Sequence, residues 1–373
     1  MQKIVSLQIL RALAATSVVV VHGYGWLLQS VGLPNPSPGF SSLGGAGVEL
    51  FFVISGFVMV YTSEPMFGRP DGPKIFALHR LIRIVPLYWL VTALYIAASL
   101  AFPSFDKHYG LDFIVASLLF IPMENSLGAV MPIIGQGWTL NYEMLFYAVF
   151  ALAVFAPRRL AVALASAVLI TGVMYGSRLA PSSTAVAFWT SPIVYLFIYG
   201  MVIGLLYREG LRLWKPLCLA LIAAGVTFTW HDAVVDPALR LLPNGVPPAL
   251  LVAGATFGRF TLEGSLWRLL ARIGDASYAI YLLHAFPIRG ALALSYRMPF
   301  GVTEAPWFYA GLALIGATVL GLVTYYLLER PMTRYLRGLL APRKQAQAVP
   351  HGAFAAVPLR SETARNEARE PTG

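Results

Sequence analysis

Residues 7–28 read LQILRALAATSVVVVHGYGWLL, an apolar segment that is long enough to cross a membrane yet contains Arg11 and His22. At about 100° and ~1.5 Å per helical residue, their spacing places both side chains on one helix face, about 16 Å apart. An ionisable side chain in the hydrocarbon region costs at least ~2.5 kcal/mol and normally faces a bundle interior or a wet cavity. The segment therefore predicts a helix beside a polar passage, with a permanent cation near one surface and an imidazole deeper in.

The composition indicates the class of protein. Hydrophobic residues make up 58% of the 373 residues, charged residues make up 12%, and the mean hydropathy is +0.69. Typical soluble domains carry about 25% charged residues, so we predict an all-α polytopic membrane protein. The net charge of +10 does not indicate a nucleic-acid partner, because many of the basic residues flank apolar segments, where they orient the chain in the membrane.

Several kinds of site lack support in the sequence. Cys218 is the only cysteine, which excludes an intrachain disulfide and a Cys-rich metal site. The sequence contains neither a GxxxxGK[ST] phosphate loop nor an HExxH motif, so ATP-driven transport and metalloprotease chemistry are not indicated and no metal site is predicted. The first apolar run exceeds the length of a signal-peptide core and contains Arg11, so we predict that it is a retained helix.

The apolar segments predict ten membrane spans around a polar intramembrane cavity. A shorter run at 111–121 has too few residues for the ~20 that a spanning helix needs, so we predict a re-entrant or interfacial piece. Residues 1–340 form the predicted membrane domain, and 341–373 form a predicted disordered cytoplasmic tail. The ten segments are 7–28, 45–62, 84–102, 138–156, 160–175, 188–206, 216–230, 247–258, 274–294 and 307–328.

The loop charges predict the orientation of these spans. With ten spans, one side of the membrane carries most of the basic loop residues. The positive-inside rule makes that side, with both chain termini, cytoplasmic. Counting 111–121 as a further span would invert the later assignments and place Arg158 and Arg159 outside. In the ten-span arrangement, by contrast, the opposite side carries only Lys107, Arg178, Arg240 and Arg297.

Other polar residues in apolar surroundings allow both structural and functional interpretations. Arg80 and Arg83 are either positive-inside anchors or phosphate ligands, and Glu49 is either a structural acid or part of a site. Trp138 is typical of a membrane interface. His284 is more typical of a packed, hydrogen-bonded histidine than of a catalyst. These residues remain candidates rather than assignments.

His22 and Glu143 are the stronger functional candidates, because each is predicted to lie deeper in the membrane. A histidine gains and loses a proton near neutrality. A carboxylate such as Glu143, bonded to one ring nitrogen, would fix the tautomer and raise the basicity of the other. That pair would suit a general base for a hydroxyl nucleophile, and it would equally suit a proton relay.

Six sequence elements in order resemble the acyltransferase-3 family of integral membrane acyltransferases, in particular its exopolysaccharide-production and O-acetyltransferase branch. The resemblance runs from residue 7 to about residue 337, and the sequence departs from it at Glu49, where an aspartate is commoner. We expect no fused periplasmic domain of the kind that some relatives have. The elements are the Arg11–His22 spacing, GGxGVxLFFVISGF at 44–57, the arginine pair at 80 and 83, the tryptophan-to-glutamate stretch at 138–143, SYxxYLLH at 277–284 and ERP at 329–331.

The resemblance implies an enzyme that moves an acyl group, usually acetyl, from acyl-coenzyme A to a sugar hydroxyl of an exopolysaccharide, lipopolysaccharide or other envelope glycan. It also implies a multi-pass protein of the bacterial inner membrane, in contact with lipids and without a permanently bound cofactor. The acceptor sugar, the acyl chain length and homo-oligomer formation stay open. So does the choice between direct transfer and an acyl-histidine relay.

Three sets of residues carry the implied roles. We predict His22, Glu143 and Arg11 as catalytic residues, with His22 as general base. We predict that Arg80, Arg83 and Arg11 bind acyl-CoA, because planar guanidinium groups bind phosphates bidentately. The predicted substrate cavity is lined by Glu49, Ser55, Trp138, Asn141, Tyr142 and His284.

Two other classes of function compete with this interpretation. A proton-coupled transporter of a sugar, lipid or small molecule would use His22, Glu49 and Glu143 as its proton relay. The sequence shows no internal repeat of the kind that many secondary transporters have. A non-catalytic membrane scaffold or sensor would retain the fold without the chemistry.

Overall fold

The computed structural model describes residues 3–34, 38–101, 109–179, 183–234 and 245–340, and these residues form helices joined by short loops, with no β-strand beyond one isolated bridge between Glu124 and Val130. The predicted tail at 341–373 lies outside the described residues. The helices are α1 Val5–Ser30, α2 Pro38–Thr62, α3 Gly72–Ala101, α4 Leu111–Leu118, α5 Trp138–Ala153, α6 Arg158–Leu179, α7 Thr184–Trp189, α8 Tyr195–Arg208, α9 Lys215–Val234, α10 Val246–Phe257, α11 Ser265–Asp275, α12 Ser277–Leu283, α13 Ala285–Ser295, α14 Pro306–Thr324 and α15 Arg330–Leu340.

Within the described ranges, six helical stretches are long and apolar enough to cross a membrane. The chain is therefore a multi-pass helical membrane protein, while the count of ten spans and the side of each terminus stay predictions. Helix α4 has eight residues, or about 12 Å, which is short of the ~30 Å hydrocarbon core. The six stretches are Val5–Ser30, Phe40–Thr62, Gly72–Leu100, Arg158–Gly176, Thr184–Arg208 and Pro306–Leu339.

Two predicted segments have different boundaries in the structure. Helix α2 begins at Pro38 rather than at residue 45, so the glycine cluster and Glu49 lie inside the helix. The predicted single span at 274–294 is instead split among α11, α12 and α13. Pro287 explains the second break, because it has no N–H to donate to the carbonyl of Leu283, where α12 ends.

The core is built where α2 crosses α8 at backbone contact distance. A Cβ atom added to Gly56 would lie 2.2 Å from the carbonyl oxygen of Phe197, and one added to Gly200 would lie 2.0 Å from that of Val53. The aromatic rings of Phe146 and Phe197 stack beside this crossing with centroids 4.3 Å apart. Small residues allow such close helix packing in membranes, where lipid provides no hydrophobic force to drive helices together.

An ion-pair network joins α2, α6 and α8 at the end of the bundle where α2 stops. Arg158 donates to Glu64 and to Glu209, and Arg159 donates to both oxygens of Glu209. These hydrogen bonds, from Arg159 first and then from Arg158, lower the pKa of Glu209 to about 2. The network ties together helix ends that are far apart in the chain.

Candidate functional site

A cavity of about 540 Å³ opens between α1, α2, α3, α5, α12 and α15. Its walls are largely apolar, but five of its lining residues have basic side chains. These are Arg11, His79, Arg80, Arg83 and Arg337. The other charged lining residue is Glu143. The described lining is thus strongly cationic, with one carboxylate.

Two of the four cavity arginines donate hydrogen bonds to neutral groups. Arg80 donates to the hydroxyl of Thr62 at 2.5 Å, and its guanidinium lies 5.4 Å from the centroid of the Phe76 ring. Arg11 donates to the side-chain oxygen of Gln8 at 3.2 Å. None of the salt bridges between described residues includes a cavity arginine. The carboxylates whose charge acts on Arg83 and Arg11 include Glu143 and the buried Glu329, but the five basic side chains leave positive charge for an anionic ligand.

Glu143 projects into the cavity from α5 and accepts two hydrogen bonds on one oxygen. The hydroxyl of Ser55, on α2, donates at 2.9 Å, and the hydroxyl of Tyr147, one turn further along α5, donates at 2.5 Å. Both donors also line the cavity. The carboxylate thus joins two walls of the cavity.

Tyr281 and Thr139 line the cavity and are joined by shared hydrogen bonds. The Tyr281 hydroxyl donates to the carbonyl of Gln136 at 3.0 Å and lies 3.1 Å from the Thr139 hydroxyl. The amide nitrogen of Gln136 donates to the carbonyl of Leu282 at 2.8 Å. Helix α12 and the start of α5 are thus tied together.

His22 and His284 form a pair that contacts the backbone of Tyr281. His22 Nδ1 and His284 Nε2 are 3.0 Å apart, and His284 Nδ1 lies 2.6 Å from the carbonyl oxygen of Tyr281. The indole of Trp26 stacks on the His22 ring at 5.6 Å with an angle of 6° between the planes. Tyr281 is therefore shared by the two features, because its ring lines the cavity while its carbonyl contacts the histidine pair.

The histidine pair replaces the expected contact between His22 and Glu143. The predicted carboxylate partner was wrong: the Glu143 oxygen is bonded to Ser55 and Tyr147, and the ring partner of His22 is His284. The reason lies in tertiary packing, because His284, the residue after α12, brings a ring nitrogen within reach of His22, and α5 brings no carboxylate there. Arg11 lines this cavity and His22 does not, so the polar passage predicted to run past both side chains is not seen in the described lining.

Helical geometry explains which predicted substrate-cavity residues line the cavity and which do not. On α5, residues 139, 143 and 147 recur every four positions and share a face, and this face lines the cavity. Trp138, Asn141 and Tyr142 lie on the other faces of α5 and are not part of the lining. Tyr142 instead stacks on Phe188 at 4.1 Å, and the side-chain oxygen of Asn141 is buried without a hydrogen-bond partner.

The three other predicted substrate-cavity residues are Ser55, Glu49 and His284, of which only Ser55 lines the cavity. On α2, Ser55 lines the cavity together with neighbours three, four and seven positions away, as the period of 3.6 requires. Glu49 is about 100° away from Val48, which does line the cavity, so its half-buried side chain points elsewhere. His284 is fully buried behind Tyr281.

Several residues of the site were absent from the sequence predictions. Gln8 lies three residues before Arg11, and Tyr147 lies four residues after Glu143. The helical period places each of them on the same helix face as its neighbour, and this was the signal that could have identified them. Thr62 and Thr139 are common in apolar helices and carry no such signal. Arg337 was not predicted as a site residue, yet it lines the cavity. In the described part of the chain, no group of three His, Cys, Asp or Glu side chains is placed to hold a metal ion.

Comparison with known proteins gives one family and three relatives. A family model described as "Acyltransferase domain" matches residues 4–326. The chain is 35% identical over 302 residues to the exopolysaccharide production protein ExoZ of Rhizobium meliloti (strain 1021), covering 79% of this chain and 90% of that protein.

The other two relatives are more distant. The chain is 29% identical over 282 residues to the acyltransferase MdmB of Streptomyces mycarofaciens, covering 67% of this chain and 69% of that protein. It is 25% identical over 364 residues to nodulation protein 10 of Rhizobium leguminosarum bv. viciae, covering 90% and 95%. No solved structure is significantly similar to the chain.

Proposed function

This chain belongs to the acyltransferase family whose model spans residues 4–326, and from that premise we propose that it moves an acetyl group from acetyl-CoA to a sugar hydroxyl of an exported or envelope glycan. That it is a multi-pass membrane acyltransferase follows from the family match and the apolar helices. The observation that carries the finer proposal is the arginine-lined cavity next to the histidine pair.

The donor site is proposed from the charge of the cavity. Coenzyme A is a cytoplasmic polyanion, and the basic loops put Arg80, Arg83 and Arg337 toward the end of the bundle that the positive-inside rule makes cytoplasmic. Guanidinium groups that outnumber the nearby carboxylates suit phosphate binding. The pantetheine arm would then extend inward along α1, past Arg11 and Tyr281, over a distance of about 16 Å to His22.

The proposed chemistry uses His22 as general base. As the acceptor hydroxyl attacks the thioester carbonyl carbon, His22 takes its proton, the new carbon–oxygen bond forms and the carbon–sulfur bond breaks. The proton then passes to the departing thiolate, so the products are the acyl ester and free coenzyme A. Glu143 does not contact His22; we propose that it shapes the cavity wall and offsets part of the arginine charge.

The acceptor and the location are proposed from similarity alone. The relative from Rhizobium meliloti is a protein of exopolysaccharide production, which supports an exported glycan as acceptor and the bacterial inner membrane as location. Mass spectrometry of envelope and exported glycans, with and without this protein, tests the proposal. A lost acetyl-sized increment supports it, whereas unchanged glycans together with proton-driven uptake of a solute would favour a transporter.

The base assignment has its own test in lipid nanodiscs that contain the purified protein. His22→Ala is expected to abolish acyl transfer from acetyl-CoA while donor binding persists, because His22 lies beyond the cavity lining. Thr318→Ala is the matched control, since the Thr318 hydroxyl bonds only to Leu314 in its own helix. Near-normal turnover by the His22 variant would refute the assignment.

A further inference from the structure

We infer that His284 is the positioning residue that sets the tautomer of His22 and leaves His22 Nε2 as the basic nitrogen. This inference rests on the proposed function, because it assigns a role within the same acyl transfer. The observation behind it is the chain of contacts from the Tyr281 carbonyl through His284 to His22.

The carbonyl oxygen of Tyr281 determines where the protons lie. A carbonyl only accepts hydrogen bonds, so His284 Nδ1, 2.6 Å away, carries a proton and donates it. In a neutral imidazole the other nitrogen is then an acceptor. His284 Nε2 therefore accepts from His22 Nδ1 at 3.0 Å, and the proton on Nδ1 leaves His22 Nε2 with a free lone pair.

The neutral ring is the form of His284 that these surroundings accommodate. The side chain is fully buried, and its nitrogen contacts are a carbonyl and a second imidazole rather than a carboxylate. A buried charge without a paired acid is costly. His284 therefore acts as a directional connector, which accepts on one side and donates on the other.

The pair is also held against rotation. Trp26 stacks on His22, and the planes of the two imidazole rings, which meet edge to edge through their hydrogen bond, differ by 25°. The stacking on Trp26 restrains the plane of the His22 ring, and the hydrogen bond to His284 selects one of the two flipped orientations within that plane, because a flip would break it. When His22 takes the acceptor proton on Nε2, its Nδ1–H still donates to His284, and the pair needs no further rearrangement.

His284 takes the role that the sequence analysis gave to Glu143, which is to orient the His22 ring. In metal sites and elsewhere, a functional histidine is oriented by a hydrogen-bond partner on the ring nitrogen that does not take part in the chemistry. Here a neutral imidazole occupies that place, because the Glu143 oxygen is already bonded to Ser55 and Tyr147. His284 touches neither the cavity nor a reacting atom, so it acts through His22.

Two isosteric variants separate this role from simple packing. In His284→Gln, the amide oxygen lies near the position of Nε2 and can still accept from His22. In His284→Asn, the amide lies near the position of Nδ1 and can donate to the Tyr281 carbonyl, but nothing reaches His22 Nδ1. Both variants replace the buried imidazole by a side-chain amide, so each is the control for the other.

Turnover is measured with saturating acetyl-CoA and acceptor in nanodiscs, together with the KM for acetyl-CoA. We expect His284→Asn to lose about 10- to 100-fold in kcat, and His284→Gln to recover at least tenfold of that loss. The KM for acetyl-CoA should stay within about twofold in both, because His284 does not line the cavity. Melting temperatures of the two variants verify that they fold equally well.

Each outcome decides the matter. Equal kcat values for the Gln and Asn variants, or an Asn variant as active as the unmodified protein, overturn the positioning role while leaving the proposed function intact if His22→Ala is inactive. If the unmodified protein transfers no acyl group, or His22→Ala is fully active, the proposed function itself fails. A Gln variant that is clearly more active than the Asn variant, at unchanged KM, supports the inference.

Discussion

Replacement of Gly56 by alanine tests the close crossing of α2 and α8 on which the cavity wall depends. The added Cβ would lie 2.2 Å from the Phe197 carbonyl oxygen, whereas ordinary van der Waals contact begins at 3.4 Å. The helices must therefore separate locally by about 1.2 Å, and the atom in the way is backbone that cannot rotate aside. Overpacking of this kind costs typically 1–3 kcal/mol and occasionally more, and we expect about 3 kcal/mol here.

Gly45 provides the control, because it lies in the same helix and the same sequence motif. A Cβ added there meets nothing within 4 Å, and alanine in a helix interior is favoured over glycine by about 0.5–1 kcal/mol. Gly45→Ala should therefore stabilise the protein slightly, while Gly56→Ala destabilises it. The two substitutions differ in sign, although they are chemically identical.

The assay is thermal unfolding of the purified variants in detergent, read by the exposure of Cys218, which is buried, to a thiol-reactive dye. We expect a fall of several degrees in the apparent melting temperature of Gly56→Ala and no fall for Gly45→Ala. Equal melting temperatures for the two variants would mean that α2 and α8 do not approach as closely as described, and the packing argument would be wrong.

Two further predictions concern charge. Arg80→Gln should raise the KM for acetyl-CoA about tenfold or more, because one charge-assisted phosphate contact contributes ~1.5–3 kcal/mol. The control is Arg69→Gln, which should leave the KM unchanged because the Arg69 guanidinium pairs with Asp71 at the surface. Equal effects of the two substitutions on the KM would contradict the proposed donor site. Glu209 has a pKa of about 2 when folded, below its ordinary value near 4.3, so its ion pairs stabilise the protein above that value and are lost as the pH falls through about 2. The difference in melting temperature between the unmodified protein and Glu209→Gln should therefore be constant above pH ~5, shrink to zero near pH 2 and be small at high salt, because the pairs are exposed.

The sequence identified the membrane class and the polar face of α1. The length and apolar content of residues 7–28 require a helix, and helical geometry then places Arg11 and His22 on one side whatever the rest of the chain does. The order of the motifs identified the family, which the match over residues 4–326 confirms. These features depend only on local periodicity and composition, which are properties of the chain itself.

Helix boundaries were predicted less well, since the ends depend on context. The start of α2 lies seven residues before the predicted one, because Pro38 and the residues after it continue the helix at modest hydropathy. The break of the predicted span at 274–294 follows from Pro287, a local signal that the hydrophobic pattern concealed. Charge and apolar content mark where a helix crosses the membrane but not where its hydrogen bonding begins.

Only the tertiary structure decided the partners of the functional side chains. His22 and His284 are 262 residues apart in the chain, and nothing in either motif indicates that α1 and α12 bring them within 3.0 Å. The sequence analysis predicted Glu143 as the partner of His22 because it is an acid that lies deep in the predicted membrane region. In the structure, the packing of α5 against α2 places Glu143 next to Ser55 instead. Periodicity determines which side chains share a face of one helix, whereas the packing of separate helices determines which faces meet.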